Sequence, residues 1–190
     1  MDMATRFVWV DLEMTGLDPD TCAIVEIAVI VTGADLQPIA THERVIWQPD
    51  EVLGRMSPFV REMHTKSGLY ERIRASRTGL ADAEREVMSL VTKHVPYREG
   101  YLAGNSIYQD RRFLARYMPM FEGYLHYRQV DVSSLKVLTQ AFHGGRFELK
   151  KEGKTHTALD DIRGSIAELS HYRAHMLVPL VRAQRRATGA

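Results

Sequence analysis

The sequence predicts an α/β fold, one mixed central sheet with helices on both faces. Three observations carry the prediction. Three segments rich in β-branched and aromatic residues follow one another within residues 6–47. The apolar period then lengthens to that of a helix around Leu80. From residue 101 onward, short strands and helices alternate. Strands first and alternation later is the pattern of a sheet covered by helices.

Residues 6–11 (Arg-Phe-Val-Trp-Val-Asp), 23–32 and 36–47 read as strands. Turn chemistry separates them, in 15–21 with Gly16 and Pro19 and in Gly33-Ala34-Asp35. Short links between consecutive strands predict an antiparallel meander. Leu80, Ala83, Val87, Leu90 and Val91 follow helical spacing. Residues 101–103 form a short strand, and Gly104-Asn105-Ser106 a loop that opens a helix near Tyr108. Val130-Asp131 ends another strand, 133–142 is helical, and Ile162, Ile166 and Leu169 mark a long final helix. The polar stretch 143–154, with Gly144, Gly145 and Gly153, reads as a mobile loop.

At 190 residues the chain suits one domain. Apolar residues make up 45% and charged residues 26%, the balance of a soluble globular protein. No segment approaches the ~20 apolar residues of a membrane helix. The polar start, without an apolar leader, and the single Cys22 predict a cytoplasmic protein without an internal disulfide. The net charge of +1 lacks the basic excess of a protein gripping long nucleic acid, so any such substrate should be short or held at a few points.

Three acidic spots carry chemistry. Asp11 and Glu13 are alternate residues of one strand and so project to the same face. Paired carboxylates repel, and a divalent cation with a taste for hard oxygen, Mg²⁺ or Mn²⁺, relieves them. Taken alone, the pair also fits a strand fraying into a solvated acidic turn. Asp110, in Gln109-Asp110-Arg111-Arg112, starts a helix, where an acid also offsets the dipole. His156 precedes a helix that carries Asp161 one turn inside. The plain alternative is an exposed loop histidine before an acidic first turn. Together the three spots supply what phosphodiester hydrolysis by two metals needs, several carboxylates and a base. Gly-x-Ser-x-Gly, cysteine–histidine and P-loop patterns are absent.

Asp11-x-Glu13, Asp110 and His156-x4-Asp161 match in order and spacing the DEDDh exonucleases, which have a ribonuclease-H-like fold. Within that group the chain resembles the oligoribonuclease family. The likeness runs through Trp9-Val-Asp-Leu-Glu-Met-Thr-Gly-Leu17, Gly104-Asn-Ser-Ile-Tyr-Gln-Asp-Arg-Arg-Phe-Leu114, Tyr127-Arg-Gln-Val-Asp-Val-Ser-Ser134 and His156-Thr-Ala-Leu-Asp-Asp-Ile162. It covers about residues 6–176, leaving 177–190 as a basic extension with Arg182, Arg185 and Arg186 beyond Pro179.

The resemblance implies a 3′-to-5′ exoribonuclease acting on RNAs of two to five nucleotides. It implies a preference for 5′-phosphorylated dinucleotides, including linear products of cyclic dinucleotide breakdown. Asp11 would bridge two divalent cations, Mg²⁺ or Mn²⁺. Glu13 and Asp161 would complete the first site and Asp110 would support the second. His156 would be the general base. Leu17 would wedge between two bases, and Ser106, Arg128, Ser133 and His64 would surround the 5′ phosphate. Tyr127 would stack on a base from the partner subunit of a homodimer. If 127 and 128 lie in a strand they face opposite sides, which suits service to two different sites. Without the resemblance, His64 reads as a helix-surface histidine and Tyr127 as a core aromatic.

The chain departs from the family at Phe59, commonly a tryptophan, at Tyr108, usually a glycine, and in 143–154, which matches poorly. Two other readings compete. A broader trimmer of tRNA tails or DNA ends would need a longer basic track. A non-catalytic RNA-binding module of the same fold would have lost a catalytic residue, and all five are present.

Overall fold

The computed structural model describes residues 5–149 and 157–177. In chain order the elements are β1 (Arg6–Met14), β2 (Ile24–Thr32), β3 (Pro38–Val45), α1 (Asp50–Leu53), α2 (Pro58–Lys66), α3 (Leu69–Ala75), α4 (Leu80–His94), β4 (Gly100–Gly104), α5 (Ile107–Tyr117), α6 (Pro119–Tyr124), β5 (Gln129–Asp131), α7 (Val132–His143) and α8 (Ala158–His175). The strands form one sheet in the order β3-β2-β1-β4-β5. The first three make the expected antiparallel meander, and β4 and β5 join in parallel, so the sheet is mixed.

β2 reads Ile-Val-Glu-Ile-Ala-Val-Ile-Val-Thr and is buried throughout, as a strand covered on both faces must be. β1 alternates. Val8, Val10 and Leu12 enter the main core, with Ala83, Val87 and Val91 of α4 and Phe113 and Leu114 of α5. Trp9 points to the opposite face, into a second core with Val132 of α7 and Ile162, Leu169 and Tyr172 of α8. Helices therefore cover both faces. By the same alternation Asp11 and Glu13 follow Trp9 on the α8 side.

Helices α1, α2, α3 and α6 have no counterpart in the sequence reading. They are short, and the one fully buried residue of α2 is the polar His64, so the helix has few apolar positions to mark it. Ser57 and Pro58 start α2 by chemistry instead, with Ser57 Oγ accepting the Val60 N–H. The stretch read as a loop begins as expected, since α7 stops where Gly144 turns left-handed at φ 57°. Residues 150–154 lie outside the described residues, as does the basic extension beyond Leu177. Among the described residues no helix is long and apolar enough to cross a membrane.

β4 reaches its close approach to β1 at Gly104. A Cβ there would meet Val10 O and Ile107 Cδ1, both at 2.9 Å. Gly104→Ala should destabilise the fold by about 1–3 kcal/mol. The check is the urea midpoint, which should fall with an unchanged slope. An unchanged midpoint would mean the two strands do not need the missing side chain.

Candidate active site

β4 pairs with β1 only from Arg6 to Trp9. Beyond that point Asp110 takes the place of a strand neighbour, its Oδ1 accepting the Leu12 N–H at 2.9 Å. Asp110 sits in the first turn of α5 yet is only 7% exposed, so it is not simply a solvated acid offsetting a helix dipole. Asp161 lies in the first turn of α8, which starts at the N-cap Thr157, whose side chain accepts the Asp160 N–H. Carboxylate oxygens of Asp11, Glu13 and Asp161 all lie within 4.8 Å of one another. Asp11 and Glu13 are partly buried, which distinguishes them from a frayed, solvated turn.

The acids crowd one another. Asp11 is pushed up to about 9, first by burial and then by repulsion from Asp110, Glu13, Asp161 and Glu26. Glu13 is pushed up to about 7, by burial and then mainly by Glu26, with the Arg72 cation pulling back. Burial drives Asp110 up to about 7 against the opposing Leu12 hydrogen bond. Close, hard oxygens that hold protons for want of positive charge suit a divalent cation.

Glu26 is the functional neighbour that the sequence reading missed. It stands directly across from Glu13 in the β1–β2 ladder and is 1% exposed. It is ion-paired with Arg72 of α3 and accepts the Ala158 N–H at the start of α8. The available signal was a single charge inside an otherwise apolar strand, and a charge buried there needs partners.

The remaining residues fall into separate groups. His64 is 1% exposed, so it is not a surface histidine. Its Nε2 lies 2.9 Å from Met14 O, a carbonyl that can only accept, so Nε2 donates. Nδ1 lies 3.8 Å from Glu13 Oε2, and burial lowers the pKa of the ring. Ser106 and Ser133 come together. Ser106 adopts a left-handed backbone at φ 51°, and its N–H is shared between Asp131 Oδ1 and Ser133 Oγ, each at 3.0 Å. Leu17 is 71% exposed on a loop closed by the Thr15–Ala23 hydrogen bonds, and its carbonyl accepts from Gln109 Nε2. Phe59 and Tyr108 both expose their rings. His156 lies outside the described residues.

Tyr127 and Arg128 correct two expectations. Tyr127 is 71% exposed and is not a core aromatic. Both residues precede β5, so strand alternation does not separate them. The Arg128 guanidinium lies over the Tyr127 ring of its own chain, 5.2 Å from the centroid, and the His126 ring stacks on Tyr127 at 4.5 Å. Arg111 donates from α5 to the carbonyls of His126 and Tyr127, while the His126 N–H reaches Gly100 of β4, so the segment is anchored just ahead of β5.

The raised carboxyl groups set a pH dependence. An acid whose pKa is higher in the folded state stabilises the fold below its unfolded pKa, and that contribution is lost as pH rises through the folded value. For Asp11 the window runs from 3.8 to about 9. Metal-free protein should therefore lose thermal stability between pH 6 and 9, and Mn²⁺ should cancel the loss. At pH 7.5 cation binding should displace about one proton. Calorimetry in buffers of different ionisation enthalpy reads this directly, and Asp11→Asn should release less. Heats independent of buffer would show that the carboxyl groups were already ionised.

The exonuclease family model, RNase_T, matches residues 8–169. An oligoribonuclease of Francisella tularensis subsp. holarctica (strain OSU18) is 49% identical over 178 residues, covering 93% of this chain and 99% of the relative. The oligoribonuclease of Pseudomonas paraeruginosa (strain DSM 24068 / PA7) is 48% identical over the same shares. Among solved structures, E. coli Exonuclease I in complex with a 5cy-dT13 oligonucleotide superposes with a TM-score of 0.70 at 17% identity, over 92% of this chain and 42% of that one. Exonuclease I from Methylocaldum szegediense gives 0.69 at 20% identity, over 90% and 41%. This chain thus spans about two fifths of those proteins, and the likeness to them is one of fold. With near-complete coverage at 49% identity, the chain belongs to the oligoribonuclease family of exonucleases.

Proposed function

We propose that this chain removes nucleotides from the 3′ end of RNAs two to five residues long. The preferred substrates are 5′-phosphorylated diribonucleotides, including linear products of cyclic dinucleotide breakdown. The observation that carries the reading is the convergence of Asp11, Glu13 and Asp161, with Asp110 hydrogen-bonded to the strand between them, in a chain of this family. Asp11, Glu13 and Asp161 would hold one divalent cation, and Asp110 would help to hold a second, Mg²⁺ or Mn²⁺; such cations would supply positive charge against the charge that builds on the phosphodiester. His156 takes the proton of the attacking water. The bond to the 3′ oxygen breaks, leaving a nucleoside 5′-monophosphate and a chain shortened by one.

Leu17 wedges between the two bases from its exposed loop. Ser106, Ser133 and Arg128 receive the 5′ phosphate, and His64 adds a donor from the Glu13 side when protonated. Closing the pocket at that phosphate sets the length limit. The catalytic domain is residues 1–176, with 177–190 as an extension, and the lone Cys22 thiol suits the cytoplasm.

The working unit is a homodimer in which Tyr127 stacks on a base bound by the partner. Its exposure supports this, as do Val137, Leu138 and Phe142, which α7 leaves in solvent. Same-chain stacking of Arg128 on Tyr127 makes the two a single aromatic and cationic edge that a partner site can share.

The test is a time course with 5′-labelled RNAs of increasing length in Mg²⁺ or Mn²⁺. Dinucleotides should disappear fastest, and a chelator or Asp11→Asn should stop cleavage. Arg128→Ala should cost roughly 1.5–3 kcal/mol on dinucleotides with a 5′ phosphate and far less without it. Rapid digestion of long RNA or DNA would favour the broader trimmer, and binding without cleavage would favour the non-catalytic module.

Shared sites have their own check. An Asp11→Asn chain mixed with a Tyr127→Ala chain, under subunit exchange, should recover activity. One site of each heterodimer then carries both lesions and the other neither. No recovery despite verified exchange would place Tyr127 within its own chain's site.

A further inference from the structure

A continuous hydrogen-bonded line joins the Ser106–Ser133 pair to the backbone of Asp161. Ser133 Oγ donates to Asn105 Oδ1 at 3.1 Å. Asn105 Nδ2 donates to Ser165 Oγ at 2.8 Å and to Glu168 Oε2 at 3.2 Å. Ser165 Oγ donates to the Asp161 carbonyl at 2.9 Å. The far oxygen of Glu168 accepts from the Tyr172 hydroxyl at 3.0 Å. Ser165 and Glu168 are 5% and 2% exposed, so the line runs through the interior rather than through solvent.

The Glu168 carboxylate sets the orientation of the Asn105 amide. It accepts, so the amide must turn its NH₂ toward Glu168 and Ser165 and its oxygen toward Ser133. Ser133 has one hydroxyl proton, which Asn105 Oδ1 accepts while Ser106 Oγ, 3.3 Å away, donates to Ser133. Ser165 likewise has one, held by the Asp161 carbonyl. An anion that draws the Ser133 proton to itself leaves Asn105 Oδ1 without that donor. The amide can then shift, and with it the bond that steadies the first turn of α8, where Asp161 sits.

We propose that Asn105 is a positioning residue that couples the 5′-phosphate pocket to the metal-holding turn of α8. The inference rests on the role proposed above for Ser106 and Ser133. Nothing in the arrangement requires Asn105 or Ser165 to touch substrate or cation. Because coupling between two binding sites is reciprocal, a 5′ phosphate must change cation affinity by the same factor by which the cation changes affinity for the phosphorylated ligand. Selection for the phosphate is then expressed partly in the competence of the cation site, and not only in binding.

The test uses the full chain and a dinucleotide analogue whose bridging 3′ oxygen is replaced by methylene, with and without a 5′ phosphate. Free Mn²⁺ is followed by electron paramagnetic resonance. In the wild type the 5′ phosphate should change Mn²⁺ affinity by about 5-fold or more. In Asn105→Ala and in Ser165→Ala that factor should fall toward one, while Mn²⁺ affinity without analogue stays close to wild type. Ser165→Ala suits a helix and keeps the test open should Asn105→Ala fail to fold. Retention of the full factor in Ser165→Ala overturns the proposal. So does equal loss of Mn²⁺ binding with and without the phosphate, the mark of a merely structural role. A wild type that prefers the 5′ phosphate but shows no such factor also overturns it and leaves the proposed function standing. A wild type indifferent to the 5′ phosphate removes both this inference and the reading of Ser106 and Ser133.

Discussion

Four carboxylates gathered at the end of β1 repel one another, and the surrounding structure is arranged to hold them there. Asp11 carries the largest burden, held near 9 by burial and by its acidic neighbours. Left alone, a strand end of this kind would swing its acids into water. Three devices prevent it. The Leu12 N–H is bonded to Asp110, which ties β1 to α5. Glu26 is ion-paired with Arg72, which ties β2 to α3. His64 donates to the Met14 carbonyl, which fixes the last residue of β1 to α2. Each device uses a polar group that would be costly to bury without its partner. The crowding is therefore built into the fold, and it keeps the Asp11 carboxyl far above the usual carboxylate range.

The location follows from the topology. β4 accompanies β1 only as far as Trp9, and the chain then leaves the sheet through Gly104 toward α5. The acids gather where one strand outruns its neighbour, at the carboxyl end of the strand, the usual place for a site in an open α/β sheet. The same departure brings Asn105 and Ser106 next to Asp131 and Ser133 and Asp110 onto the edge of β1 that β4 leaves unpaired. One short strand thus sets the position of a carboxylate and of the serine pair together.

The elements legible in the sequence were those whose pattern is local. The meander, α4 and α8 announce themselves by period, and the three acidic spots by their placement at element ends. What remained illegible depends on partners distant in the chain. Glu26 acquires meaning only when Glu13, Arg72 and Ala158 surround it. His64 reads as a surface residue of its helix because its burial comes from β1, whose Met14 carbonyl and Glu13 lie fifty residues earlier. The placement of Tyr127 and Arg128 on opposite strand faces failed for a similar reason. Arg111, sixteen residues earlier than Tyr127, anchors that carbonyl just ahead of β5.

The start of α8 is held by partners from three different positions in the chain. Thr157 caps the helix through the Asp160 N–H, Glu26 takes the Ala158 N–H, and Ser165 holds the Asp161 carbonyl. Two orphan N–H groups and one carbonyl of the first helical turn are thus held from three directions. Asp161 must present its carboxylate to Asp11 and Glu13 within a few ångströms, and the helix dipole at an N-terminus favours negative charge there.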